Sequence, residues 1–268
     1  MKKNILITGA ASGIGKSTVK ILLNKGYNVF AIDIKKIEDC NNLKSFNCDI
    51  TDENQLNYAF EYLKNENIML DAIINIAGIH KMASLVENKY SDLKKLIEIN
   101  LLGTININNK FHCLLKNKGR IVIVTSEVAS FDPLPFNGLY NISKTALDSY
   151  AQALRQELNL LNQKVITIRP GSIKTPLSEG SLKDTENLAN NTILYKKQAG
   201  KFLNLTRKFM GRTIEPIKVG KLIVKTIEKK NVRLIYKINK NFLKSLKKYE
   251  IWKYYWAIKI KKLVILIK

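Results

Sequence analysis

The chain has 268 residues, a hydrophobic fraction of 46% and a formal net charge of +23. Length and apolar content suit a globular protein with a real core and exclude a disordered or fibrous chain. The surplus of charge is mostly lysine in a sequence also rich in asparagine and isoleucine, which points to compositional drift rather than to a nucleic-acid surface. Cys40, Cys48 and Cys113 form no CxxC and no Cys/His metal spacing, so buried free thiols in a reducing compartment, and no metal site, are expected. The apolar run near the start meets Gly9 within about five residues, shorter than a signal-peptide core. No stretch reaches the ~18 apolar residues of a membrane span. A cytoplasmic protein follows as the expectation.

Asn4–Thr8 (NILIT) reads as a strand and the stretch from about Gly13 to Lys25 as a helix. Between them lies TGAASGIG, Thr8–Gly15. Gly9 permits a sharp exit from the strand, Gly13 lets backbone amides approach a pyrophosphate, and Gly15 lets the helix pack close to the sheet. The free N–H groups of the helix start then face the phosphates. Asn28–Asp33 (NVFAID) is a second strand. Asp33 at its end, 18 residues after Gly15, is placed to accept hydrogen bonds from ribose hydroxyls and to repel a 2′-phosphate. Ser12 brings no positive charge to offset that repulsion, so NAD is favoured over NADP; Lys35 and Lys36, close behind, are the residues that would reverse the preference.

Leu43–Asp49 is a weaker third strand, Asp71–Gly78 a fourth, Gly119–Ser126 a fifth, Lys164–Gly171 a sixth and Val232–Ile238 a seventh. Helical periodicity fills Asp52–Lys64, Ser91–Leu115, Gly138–Leu161 and Pro216–Lys229. This alternation predicts a single Rossmann-like, doubly wound α/β domain over residues 1–238, an about seven-stranded parallel sheet with helices on both faces. Residues 175–215 show no strand pattern and read as ligand-binding loops forming a substrate lid. In YNISK, Tyr140 and Lys144 stand four residues apart, on one face of a helix. Alone the pair is an ordinary surface pair; His80 alone reads as a solvated loop residue and His112 as a packed helical one.

Together these segments resemble the short-chain dehydrogenase/reductase family, in order from Thr8 to about Ile238. The resemblance implies an NAD(P)-dependent oxidoreductase. It places Gly9, Ser12, Gly13, Ile14 and Gly15 in the cofactor loop. NIAG (Asn75–Gly78) matches the family's Asn-Asn-Ala-Gly with Ile76 in place of the second asparagine, which assigns Asn75, Ala77 and Gly78 to the cofactor. CDI assigns Asp49 and Ile50 to the adenine. IEINLLG carries Asn100 at the family's helix-four asparagine. RPGSIKT assigns Pro170, Gly171, Ile173 and Thr175, the threonine to the nicotinamide carboxamide. Tyr140 and Lys144 match the catalytic Tyr-x-x-x-Lys, and both also meet the cofactor. The family's serine commonly stands about thirteen residues before the tyrosine. Here that position is Glu127, and Ser126, fourteen residues before Tyr140, is the choice over Ser130.

The chemistry implied is hydride exchange with a secondary alcohol or ketone. Tyr140 carries the proton, its acidity raised by Lys144 and a positive nicotinamide. Ser126 donates to the substrate oxygen, and Asn100, counted with Ser126, Tyr140 and Lys144 as catalytic, fixes helix four and holds a water connecting Lys144 to solvent. A glutamate filling the serine slot would instead leave a catalytically weak nucleotide-binding regulator or scaffold. Leu134, Phe136, Leu139, Leu177, Leu182, Phe202 and Leu205 suggest an apolar pocket for a steroid-, retinoid- or lipid-like substrate. The family commonly forms homodimers or homotetramers through helices four and five. Residues 239–268 form a basic, aromatic tail whose composition suits peripheral membrane contact, with a docked helix as the rival reading and nucleic acid the weakest.

Overall fold

The computed structural model describes residues 2–210 and 213–239; the tail from 240 to 268, and with it the proposed membrane contact, lies outside the described residues. Seven strands form one parallel sheet: β1 (Asn4–Thr8), β2 (Asn28–Asp33), β3 (Leu43–Asn47), β4 (Leu70–Asn75), β5 (Leu115–Val124), β6 (Lys164–Pro170) and β7 (Ile235–Ile238). The helices are α1 (Gly13–Asn24), α2 (Glu53–Asn65), α3 (Tyr90–Ile97), α4 (Gly103–Phe111), α5 (Gly138–Asn159), α6 (Pro176–Asn191), α7 (Lys196–Met210) and α8 (Pro216–Glu228).

Both faces of the sheet are covered, which is why its central strands are apolar at nearly every position. Side chains alternate between the two faces. Leu6, Ile121 and Ile123 join one core with Leu56 and Leu63 of α2, Ile107 and Phe111 of α4 and Leu147 of α5. Ile5, Ile7, Val122 and Val124 join the other with Val19 and Leu22 of α1 and Val219 and Ile223 of α8. The strand order is β3-β2-β1-β4-β5-β6-β7. Winding reverses between β1 and β4, and a crevice opens there beyond the strand ends.

Several boundaries differ from the periodicity. The helix expected over Ser91–Leu115 is broken into α3, a π turn at Glu98–Leu102, α4 and a 3-10 turn at His112–Leu114. Leu115 already belongs to β5, because it pairs with Leu70 across an irregular register. Strand β4 ends at Asn75 rather than Gly78, and β6 ends at Pro170. The stretch read as lid loops folds into α6 and α7; Pro176 starts α6, where a proline's missing N–H costs nothing. The thiols were expected to be buried, yet only Cys48 is; Cys40 and Cys113 are exposed.

Candidate active site

A cleft of about 520 Å³ runs across the C-terminal ends of the strands. At one end lie Gly9, Ser12, Gly13 and Ile14 from the β1–α1 loop, then Asp33, Asp49 and Ile50. Gly9 has φ +68°, and a Cβ there would stand 2.7 Å from the Ala77 amide nitrogen. Gly15 lies beneath the cleft rather than on its wall; a Cβ would stand 1.9 Å from the Gly9 carbonyl oxygen, so only glycine lets α1 start against the loop. No side chain caps the first turn of α1, and no acidic residue sits in it. Its N–H groups are therefore available to an anion.

Asp33 is already at work in the unliganded chain. Its Oδ2 accepts from the Ala11 amide at 2.9 Å and its Oδ1 from the Lys35 amide at 2.9 Å, which holds the glycine loop to the end of β2. A carboxylate has lone pairs beyond these two bonds for further donors. Asp49 turns to Thr51, accepting from its amide and hydroxyl at 2.9 and 2.8 Å. Ala77, Gly78, Pro170, Gly171, Ile173 and Thr175 line the middle of the cleft. Asn75 does not: it is 3% exposed and donates to Asn108 Oδ1 at 2.9 Å, and its own Oδ1 has no partner.

Ser126, Tyr140 and Lys144 meet at the other end. Burial pushes the Tyr140 phenol up to about 12, a hydrogen bond from Ser126 pulls the other way, and the charge of Glu127 adds to the rise. Burial alone brings the Lys144 ammonium down to about 8. Its Nζ donates to the Val124 carbonyl at 3.3 Å and stands 5.9 Å from the Tyr140 ring centre. Enclosure favours the neutral form of both groups. Asn100 is fully buried in the π turn and off the cleft wall. It donates to the Ile79 carbonyl and Ser143 Oγ, both at 2.9 Å, and accepts from the Ile79 amide at 2.8 Å.

Glu127 lines the cleft beside Ser126, as do Gly171 and Asn239. Its Oε2 accepts from Asn239 Nδ2 at 2.8 Å, and its carboxylate packs on Gly171, where a Cβ would meet Oε1 at 2.9 Å. The carboxylate thus turns toward the ends of β6 and β7. Ser130 is off the cleft wall, its hydroxyl buried and without a partner.

The apolar wall is only partly the one foreseen. Leu134, Leu177 and Phe202 line the cleft, together with Met82, Val128 and Phe131. Leu139 instead packs in the core beside Tyr140. Phe136 braces the loop against Tyr195 and Phe202, at ring separations of 5.4 and 5.3 Å, and with Leu182 stays off the cleft wall. The side chain of Leu205 lies outside the described residues. His80, read as solvated, is half-buried on the cleft wall: its ring lies 4.3 Å from that of Tyr140, and desolvation holds it neutral, down to about 4. No periodicity marks a loop residue for such a contact; it arises because the loop after β4 passes the start of α5. His112 is half-buried against Gln163, at 2.8 Å.

A parallel sheet wound in this order, with a glycine loop at one end of the cleft and a Ser–Tyr–Lys cluster at the other, defines a dinucleotide-dependent oxidoreductase class. The family model described as short chain dehydrogenase matches residues 3–186. The chain belongs to the short-chain dehydrogenase/reductase family, NAD(P)-dependent oxidoreductases acting on CH–OH and keto groups. It is 33% identical over 204 residues to the NADPH-dependent 1-acyldihydroxyacetone phosphate reductase of Schizosaccharomyces pombe, covering 72% of this chain and 68% of that one. It is 27% identical over 232 residues to the 3-ketodihydrosphingosine reductase of Bacteroides thetaiotaomicron, covering 85% and 84%. A crystal structure of a short chain dehydrogenase family protein from Francisella tularensis superposes with a TM-score of 0.77 at 25% identity, covering 91% of this chain and 99% of that one.

Proposed function

We propose that the protein exchanges hydride between NAD(H) and an apolar, bulky ketone or secondary alcohol, with Ser126, Tyr140 and Lys144 as catalytic residues. The observation that carries this reading is that Ser126, Tyr140 and Lys144 line one cleft together with the glycine loop, with Lys144 Nζ 5.9 Å from the Tyr140 ring centre. A substrate oxygen placed between the two hydroxyls receives a hydrogen bond from Ser126 and a proton from Tyr140 on reduction; on oxidation Tyr140 takes that proton back. Lys144, buried beside the phenol, stabilises its anion when both bear charge. Asn100 keeps the Ile79 backbone and Ser143 in place and so supports the helix that carries Tyr140 and Lys144.

The bound dinucleotide would supply or accept the hydride. The Gly9–Gly15 loop, the free first turn of α1 and Asp33 suit its pyrophosphate and adenosine ribose. Asp49, Ile50, Ala77, Gly78, Pro170, Gly171, Ile173 and Thr175 would complete its seat, with Asn75 buried behind it. Asp33 on the cleft wall supports NAD over NADP, since a carboxylate there would oppose a 2′-phosphate, while Lys35 on the same wall would favour one; the yeast relative named above is NADPH-dependent.

Val128, Phe131, Leu134, Leu177 and Phe202 on the wall support a lipid-like substrate. Both curated relatives are named as reductases of ketones, one of them bearing an acyl chain. Nicotinamide absorbance in a panel of long-chain ketones, steroids and sugars tests the reading. Turnover of sugars alone would overturn the substrate class, and turnover retained by Tyr140→Phe would overturn the chemistry. Exposed Leu102 and Ile142, beside α4 and on α5, support a homodimer or homotetramer through these helices, which sedimentation would reveal as a mass above 30.6 kDa.

A further inference from the structure

Residues 76–89, between β4 and α3, hold the α6 region at three points. Glu87 takes the far end: its Oε2 accepts from Thr192 Oγ1 at 2.5 Å, and its Oε1 from the Ile193 and Leu194 amides at 2.8 and 3.0 Å. Asp184, in the middle of the helix, accepts from the Met82 amide at 3.2 Å and lies 3.6 Å from Lys81 Nζ. At the third point His80 Nδ1 lies 2.9 Å from Ser181 Oγ. Only this point reaches the reaction end of the cleft. The other ring nitrogen of His80 is 3.2 Å from Asn137 Oδ1, at the start of α5, and the ring itself lies 4.3 Å from that of Tyr140, tilted by 50°.

We infer that His80 is a positioning residue through which the docked helix α6 sets the orientation of the Tyr140 ring; this rests on the role proposed for Tyr140 above. An imidazole hydrogen-bonded at both nitrogens cannot swing about its own axis without breaking a bond. Packed against the phenol, it removes one direction in which that ring could tilt away from Ser126. The contact is ring to ring, so His80 acts by packing and takes no proton from Tyr140. Asn137 Oδ1 can only accept, so the proton sits on Nε2, and Nδ1 accepts from the Ser181 hydroxyl, which then donates to the imidazole rather than to the Leu177 carbonyl 3.0 Å away.

The consequence is a link between substrate shape and chemistry. A ligand that fits beneath α6 with the His80–Ser181 contact intact meets an aimed phenol. A ligand that props α6 away releases the imidazole, and with it the phenol. Discrimination between ligands then appears in kcat more than in KM.

The test compares Ser181→Ala, His80→Ala, His80→Gln and the double alanine variant with Glu87→Gln. Each is assayed with NADH and a long-chain methyl ketone, and each is followed by amide exchange across residues 176–191. Losing one hydrogen bond, Ser181→Ala is expected to lower kcat about fivefold with KM within about twofold. His80→Ala is expected to lower it about tenfold or more, the double variant no further, because both act through one contact. His80→Gln restores part of the loss, and exchange in α6 quickens in both alanine variants. Glu87→Gln quickens exchange at the far end and leaves kcat within about twofold. Independent, multiplicative losses in the double variant, an unchanged kcat in Ser181→Ala, or an equal loss in Glu87→Gln would overturn the inference. Retained turnover in Tyr140→Phe marks a failure of the catalytic reading instead; the exchange data still report whether His80 holds α6.

Discussion

Arg169 and Asp148 face each other as a two-pronged pair, Nε to Oδ1 at 2.8 Å and NH2 to Oδ2 at 2.5 Å. Asp148 Oδ1 also accepts from Thr125 Oγ1 at 3.1 Å. Three segments are thereby locked together: β6, which ends at Pro170; α5, which carries Tyr140 and Lys144; and the end of β5, one residue before Ser126. Asp148 is 4% exposed, and removing it leaves a guanidinium without its carboxylate. Asp148→Ala is expected to cost about 3–5 kcal/mol in denaturant unfolding. Burial opposes ionisation of Asp148, but the Arg169 bonds and charge, with Thr125 and Gln152, outweigh it and hold the carboxyl below its ordinary range. The sign follows: this stability is present above the unfolded pKa and is lost as pH falls through the lower folded value. Asp148→Asn should flatten the acid limb of stability against pH; an unchanged limb would refute it.

The proton chemistry predicts a pH asymmetry. Oxidation requires the Tyr140 phenolate and reduction the phenol. With burial pushing the phenol up to about 12, oxidation should climb with alkalinity while reduction holds through neutral pH. Glu127 contributes to the rise, so Glu127→Gln should move the oxidation limb toward lower pH. Tyr140→Phe should still quench or shift NADH fluorescence on binding while turnover falls about 10²–10⁴-fold.

Asp33 acts on both structure and selectivity. A carboxylate about 4 Å from a phosphate charge is opposed by about 1 kcal/mol in water and about 4 at an intermediate dielectric. Asp33→Asn should therefore swing the NAD/NADP ratio of kcat/KM by about tenfold or more toward NADP. It keeps one acceptor for the Ala11 or Lys35 amide, so the loop should hold. No swing in the ratio would dismiss Asp33 as the selector.

Gly15→Ala tests the close approach of α1. A methyl group 1.9 Å from the Gly9 carbonyl cannot be accommodated without moving backbone. A loss of about 3 kcal/mol in stability is expected, together with weakened NADH binding by titration; a wild-type affinity would show that the loop can yield.

Much of this protein was legible along the chain because its determinants are local or periodic. Strands such as Ile5–Ile7 and Ile121–Val124 are apolar throughout because each position faces a covered side of the sheet. TGAASGIG and YNISK announce their geometry through spacing alone. Other features were settled only by segments meeting in space. Asn100 interrupts its helix with a π turn to grip Ile79, a residue 21 positions away. The Glu127 carboxylate turns toward Asn239 and Gly171, residues far along the chain. His80 is half-buried because Ser181, 101 positions on, and Tyr140 pack against it. The sequence by itself determined which groups the protein owns and which face each presents; the tertiary structure decided their protonation, since burial and partners from distant elements, not neighbours in the chain, set the cost of charge.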